Sequence, residues 1–226
     1  MYRHIVFDID GTLIDTEKTG VLSLIDTVKD LMGQDLPYAE AYRFFGIPSS
    51  KVGDILGYSG ERDFGWVWEQ NFIRLSDMIK PFDGVAEMLA AVKAAGRGTG
   101  CVTSRNRFEF NKDIHLAKLL HFLDHTVCAE DTVLHKPHPE PLLKYVSLAE
   151  ESLGTGIDLR ECIYIGDTMH DYQCAASAGV DFALADWSHR GLQGIPAKYH
   201  LTEVNDILKL ISGYTCEGCG WTKGGS

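Results

Sequence analysis

Asp8 and Asp10 lie one residue apart at the end of the apolar run Ile5-Val6-Phe7, and Gly11-Thr12 follows them. A short apolar run closed by a glycine reads as a buried parallel strand, and open α/β sheets place their ligands beyond the carboxyl ends of such strands. Two carboxylates at such a tip are costly to gather without a cation or hydrogen-bond donors. Capping and solvation would explain a bare Asp-x-Asp. The strand before this pair and the Gly-Thr after it point instead to chemistry: metal binding, nucleophilic attack or proton transfer.

Three further stretches offer groups suited to the same chemistry. Gly100-Cys101-Val102 runs into Thr103-Ser104-Arg105, where a hydroxyl and free backbone N–H groups at a strand-to-helix transition can hold phosphate oxygens. Thr and Ser are also common helix N-caps, so this stretch is weak alone. Arg105 and Arg107 could reach a second anionic group, although exposure is the usual state of arginines at a helix start. Lys136 is followed by Pro137 and Pro139, which suits a fixed charge, whereas a lone loop lysine is ordinarily solvated. Ile163-Tyr164-Ile165 ends in Gly166-Asp167-Thr168-Met169-His170-Asp171. If a helix starts at Asp167, Asp171 lies one turn on and faces the same way. As a set, Asp8, Asp10, Thr103, Lys136, Asp167 and Asp171 are hard to explain as caps and turns.

The elements that must position these groups follow from periodicity. After Asp15 the spacing of Val21, Leu24, Ile25, Val28, Leu31 and Met32 predicts a helix that Gly33 stops. Further helices are expected over 38–45, 50–56 and 62–79, and no strand-like alternation appears between Glu17 and Lys80. From Phe82 the pattern alternates. Helices are expected over 85–95, 108–120, 141–153, 171–178 and 204–211. Strands are expected over 100–103, 126–129, 162–165, 180–184 and 198–201. Such alternation implies βαβ units with right-handed crossovers and a parallel sheet. The six residues then fall on separate loops at one edge of that sheet. The expected organisation is α/β: a Rossmann-like parallel-sheet core over 1–15 and 81–212, an inserted α-helical cap over 16–80, and a tail over 213–226.

In order and spacing, Asp8-x-Asp10-Gly11-Thr12, Thr103 at a strand end, Lys136-Pro137 and Gly166-Asp167-x-x-x-Asp171 resemble motifs I to IV of the haloacid dehalogenase-like superfamily. The resemblance runs to about Ile211, with the helical insert between motifs I and II, where many small members carry their cap. It implies a phosphatase core with the first strand central. It also implies a Mg²⁺ ion held by the Asp8 carboxylate, the Asp10 backbone carbonyl and Asp167, with Asp171 acting through water or by steadying Lys136. Four carboxylates converging on one pocket fit that expectation, since each pair about 4 Å apart costs roughly 4 kcal/mol at an effective dielectric near 20. A divalent cation in an all-oxygen site removes that cost.

The mechanism so implied has Asp8 attack phosphorus to form a phospho-aspartate. Asp10 protonates the leaving group and then activates water. Thr103, Ser104, Lys136 and Arg105 are the candidate phosphate contacts. Haloacid dehalogenases proper displace halide, which needs no protonation, so aspartate at both positions resembles a phosphatase. A β-phosphoglucomutase-like transferase is the nearest rival. Gly20, Gly166-Asp167 and Ser49 stand where that family carries a His, a Glu-Asp pair and a cap-loop Arg. Phosphonate hydrolysis needs a cap lysine in a motif context that neither Lys18 nor Lys51 has. A catalytically silent phosphate-binding module would not need every chemical position intact. The phosphoglycolate phosphatase and pyrophosphatase branches are the most similar, implying a small phosphorylated metabolite.

Residues outside the motifs say less. Arg43, Lys51, Trp66, Trp68 and Arg74 are loose candidates for selecting the leaving group, most cap aromatics being expected in its core. Trp187 and His189 follow the expected strand 180–184 and fit a surface loop equally well. His135, His138 and His170 read as bystanders.

The 226 residues, 45% hydrophobic, suffice for a sizeable core. A formal charge of -11 argues against nucleic acid or an anionic membrane as the main partner. No stretch is apolar enough to span a bilayer and no leader precedes the first strand, so a cytoplasmic protein is expected. Oligomeric state is not readable. Cys101, Cys128, Cys162 and Cys174 are expected as buried thiols without disulfides. Cys216 and Cys219 form a Cys-x-x-Cys pair that lacks the further ligands of a closed zinc site, and a zinc shared between two chains stays open.

Overall fold

A computed structural model describes residues 1–45, 47, 49–188 and 194–212. Gly46, Pro48, His189 and the stretch 213–226 with Cys216 and Cys219 therefore lie outside the described residues. In chain order the elements are β1 (His4–Phe7), β2 (Ile14–Asp15), α1 (Glu17–Met32), α2 (Tyr38–Ala41), α3 (Ser49–Ile55), α4 (Phe64–Arg74) and β3 (Lys80–Pro81). They continue with α5 (Val85–Ala94), β4 (Gly98–Val102), α6 (Arg107–Lys112), α7 (Ile114–Ala117), β5 (His125–Val127) and α8 (Glu140–Leu153). The last are β6 (Cys162–Gly166), α9 (Met169–Ala178), β7 (Asp181–Ala185), β8 (Tyr199–Leu201) and α10 (Ile207–Ser212).

Two compact units emerge: Met1–Leu13 with the chain from Pro81 onward, and Ile14–Lys80. The larger is built on a six-stranded sheet in the order β5-β4-β1-β6-β7-β8, with every pair parallel. Every residue of β1 and β6 is buried, as expected when helices cover both faces of a parallel sheet. Strand order reverses at β1, which pairs with β4 on one side and β6 on the other. Open α/β sheets bind their ligands at the carboxyl end of such a switch point. The α/β class and the central first strand expected from the sequence are both present.

In the smaller unit α1 runs from Glu17 to Met32 and ends on Gly33, whose backbone is left-handed (φ 65°). Val21, Leu24, Val28, Ala41, Val52 and Phe64 form its apolar cluster. A separate two-stranded sheet pairs β2 with β3.

Several expected boundaries move. The helix expected over 108–120 is broken into α6 and α7, because Asp113 is extended (φ -74°, ψ 105°) and caps α7. Aspartate favours this position because its carboxylate satisfies backbone N–H groups that the helix start leaves open. The stretch expected extended over 126–129 ends at Val127, and a 3₁₀ turn follows over Ala129–Asp131. The closing helix begins as a 3₁₀ turn over Val204–Asp206. The expected helix 62–79 is α4 followed by a 3₁₀ turn over Ser76–Met78.

Candidate active site

The site is assembled from strand ends. Asp8 directly follows β1 and is 5% exposed, with its backbone N–H donating to Ile165 O at 2.8 Å. Asp167 directly follows β6 and is 1% exposed. Asp171 lies on the first turn of α9 and is fully buried. Carboxylate oxygens of these three residues lie within 4.8 Å of one another. Thr103 follows β4, is 4% exposed, and donates its backbone N–H to Val127 O.

Two glycines make this convergence possible. Gly11 has φ 77°, and a Cβ there would stand 2.2 Å from Asp167 Oδ2. A Cβ on Gly166 would stand 2.6 Å from the Asp171 Cβ. The Asp-Gly-Thr and Gly-Asp sequences are therefore packing requirements as much as chemical ones. Thr12, also fully buried, donates its hydroxyl to Asp167 Oδ1 at 3.5 Å.

Lys136 is not a solvated loop lysine: its side chain is 7% exposed. Nζ donates to Asp8 Oδ1 at 2.7 Å, to Asp171 Oδ1 at 2.7 Å and to the Tyr164 hydroxyl at 3.2 Å. Nζ also lies 3.5 Å from Val102 O, so four acceptors share the three ammonium hydrogens. Burial works against the lysine charge, but Asp171 and Asp8 outweigh it and raise its pKa. Burial pushes the Asp171 carboxyl up, yet Lys136 and Thr168 prevail and hold it below the ordinary range. Asp8 goes the other way. Burial pushes its carboxyl well up, and Lys136 does not offset that together with the repulsion of Asp171, Asp167 and Asp10.

Three buried carboxylates and one ammonium would leave two negative charges uncompensated if all were ionised. An all-oxygen donor set of this charge fits a hard divalent cation, with the Asp8 and Asp167 carboxylates as ligands. Asp171 is spent elsewhere. Oδ1 takes Lys136, and Oδ2 accepts from the Thr168 N–H at 3.0 Å and the Thr168 hydroxyl at 2.6 Å. The cap of α9 is thus Thr168, not Asp167, with Asp171 reaching back to complete a capping box.

The expectation of four converging carboxylates is corrected to three. The Asp10 carboxylate turns to Arg105, which donates from Nε to Oδ2 at 2.8 Å and from Nη2 to Oδ1 at 2.7 Å. Nor is Arg105 exposed: its side chain is 11% exposed, and Nη1 also donates to Asp113 Oδ2 at 2.7 Å. Ser104 is exposed at the same strand end. Trp187 is buried at 8%, with its indole N–H donating to Thr12 O at 3.1 Å and its ring edge-on to Phe82. In the smaller unit Trp66 is exposed, while Trp68 and Arg74 bond Ser23 and Asp26.

Two residues of the site escaped the sequence reading. Tyr164, inside β6, brings its hydroxyl to Lys136 Nζ, Asp171 Oδ1 (3.1 Å) and Val102 O (3.0 Å). A tyrosine in a fully buried strand needs a partner for its hydroxyl, which was the available signal. Asp113 gave only a polar residue inside a helical pattern.

Known proteins resemble this chain over most of its length. The profile of the haloacid dehalogenase-like hydrolases matches residues 5–185. A Caldanaerobacter subterraneus subsp. tengcongensis protein provisionally named pyrophosphatase PpaX is 28% identical, the match covering 92% of this chain and 94% of that protein. Pyrophosphatase PpaX of Bacillus cereus is 27% identical, with 92% and 95% covered. A Lactobacillus plantarum crystal structure, provisionally assigned as a phosphoglycolate phosphatase, superimposes with a TM-score of 0.79 at 24% identity, covering 93% and 99%. CbbY of Rhodobacter sphaeroides in complex with phosphate gives 0.71 at 18% identity, covering 92% and 96%. Among the described residues no helix is long and apolar enough to cross a membrane.

Proposed function

The chain belongs to the haloacid dehalogenase-like hydrolase family, and on that premise we propose that it is a Mg²⁺-dependent phosphatase working through a phospho-aspartate on Asp8. One observation carries the reading. The Asp8 carboxylate is buried at the switch point of the sheet, held by Lys136 at 2.7 Å, with Asp167 beside it. Mg²⁺, held by Asp8, Asp167 and the Asp10 backbone carbonyl, would supply charge neutralisation at the transferring phosphoryl group.

The chain's own residues account for the remainder. An Asp8 oxygen forms a bond to phosphorus in line with the leaving oxygen, and the phosphorus–oxygen bond to that group breaks. The Asp10 carboxyl gives its proton to the departing alkoxide. A water oxygen then attacks phosphorus, Asp10 takes up the water's proton, and the bond to Asp8 breaks to release phosphate. Lys136 steadies Asp8 and offsets charge on the phosphoryl oxygens. Thr103 Oγ1 accepts the Arg105 backbone N–H at 3.1 Å, which leaves its hydroxyl proton to donate to a phosphoryl oxygen. Asp171 acts through Lys136. The names of the relatives, pyrophosphatase and phosphoglycolate phosphatase, support a small phosphorylated metabolite as substrate.

Phosphate release from a panel of phosphorylated metabolites and p-nitrophenyl phosphate, with Mg²⁺ or with EDTA, tests this reading. Turnover should require Mg²⁺ and fall by at least about 10⁴-fold in Asp8→Asn, as loss of a nucleophile does. Undiminished turnover in EDTA, or an active Asp8→Asn, would overturn it.

A further inference from the structure

We propose that Arg105, anchored by Asp113, is a positioning residue that fixes the plane of the Asp10 carboxylate, rather than a contact for the substrate's anionic groups. The inference rests on the reading of Asp10 as the proton carrier. The geometry behind it is a relay of three side chains, Arg105 and Asp113 at 11% and 8% exposed and Asp10 at 33%. Nε and Nη2 of Arg105 meet the two Asp10 oxygens as a fork at 2.8 and 2.7 Å. Nη1 meets Asp113 Oδ2 at 2.7 Å. A two-point fork sets both the direction and the plane of a carboxylate, which a single lysine contact cannot do.

The anchor is itself rigid. Asp113 is 8% exposed, and its other oxygen accepts the backbone N–H groups of His115 at 2.8 Å and Leu116 at 2.9 Å. The Arg105 backbone is pinned at both ends, its N–H to Thr103 Oγ1 and its carbonyl from the Ala129 N–H at 2.9 Å. Neither end of the guanidinium is loose. An incoming phosphate or carboxylate would have to displace Asp10 to use the fork. The break between α6 and α7 then acquires a purpose: it places an N-cap carboxylate where it can hold Arg105.

A double-mutant cycle separates positioning from substrate contact. Arg105→Gln should lower kcat about 10- to 100-fold, the scale of an ångström-sized misplacement of a reacting group, with KM changed less than about threefold. In an Asp10→Asn background the same substitution should cost less than about twofold, because a residue acting through Asp10 has nothing left to position. Arg105→Lys should fall between wild type and Arg105→Gln, and it carries the same cycle if Arg105→Gln does not fold. Asp113→Asn should lower kcat in the same direction by a smaller factor. A raised KM with kcat kept, or the full loss repeated in the Asp10→Asn background, would overturn the proposal. A crystal structure of the Arg105 variant adds an arm independent of turnover. The Asp10 carboxylate should leave its present plane, and an unmoved carboxylate would overturn the proposal. Wild-type protein that releases no phosphate from any compound would sink the phosphatase reading, while the crystallographic arm still decides the relay.

Discussion

The sheet unit and the helical unit hold their residues in place by different means. In the sheet unit, residues 4–7 of β1 are hydrogen-bonded on both sides, to β4 and to β6. Side chains just past those strands inherit their positions from the backbone ladder. In the helical unit, α1 and α4 meet along a seam of side chains. Trp68 Nε1 donates to Ser23 Oγ at 2.8 Å, and Asn71 Nδ2 donates to Thr27 Oγ1 at 3.1 Å and Asp30 Oδ2 at 3.3 Å. Ser23 and Thr27 lie four apart on one helix face, and both are fully buried. A ladder tolerates no slip without flipping every side chain to the other face, whereas a seam of hydroxyls and amides can be rewritten one pair at a time. The strand tips carry Asp8, Thr103 and Asp167, and the proposed chemistry would need such groups held to within about 0.5 Å.

Three substitutions would break or sharpen that contrast, in falling order of effect. Lys136→Met would leave Asp8 and Asp171 buried without their counter-charge, and the stability lost should be about 3–5 kcal/mol. Chemical denaturation checks this, and a midpoint equal to wild type would mean that the ladder alone holds the site. Gly11→Ala would force a Cβ against Asp167 at a positive φ, which should cost about 1–3 kcal/mol and lower Mg²⁺ affinity. Denaturation and metal titration read both, and unchanged values would show the strand ends to be more yielding than the contacts imply. Asn71→Ala would leave the Thr27 and Asp30 oxygens without their donor, at about 1–2 kcal/mol. Hydrogen exchange should speed up in α1 and α4 and stay constant in β1 and β6, since the loss is local to the seam. Faster exchange in β1 would mean that the two units unfold as one.

Legibility varied within the sheet unit itself. Asp8, Asp10, Thr103, Lys136, Asp167 and Asp171 could all be nominated as candidates because each sits beside a local signal, a strand end or a Gly or Pro. The parallel sheet could be expected because alternating periods of 2 and 3.6 survive in a single sequence. The helix boundaries at Asp113 and Val204 were misjudged, since apolar spacing continues across them while Asp113 caps α7 and Glu203 with Asp206 closes a capping box over the 3₁₀ turn. Arg105 was read as a candidate phosphate contact or a solvated arginine, because nothing beside it in sequence announces Asp10, 95 residues away.

From the sequence alone came the α/β class, the expectation of a helical insert and six candidate positions, because periodicity, glycine placement and strand ends are local properties. The pairing of charges was decided by the tertiary structure. Lys136 serves Asp8 across 128 residues and Asp171 across 35, while Arg105 draws Asp10 out of the carboxylate cluster. Such pairings depend on which strand tips the sheet order makes neighbours, and on which buried charge has no water to turn to. Coulomb energy in a dry pocket is set by distances of a few ångströms, and no local pattern encodes those.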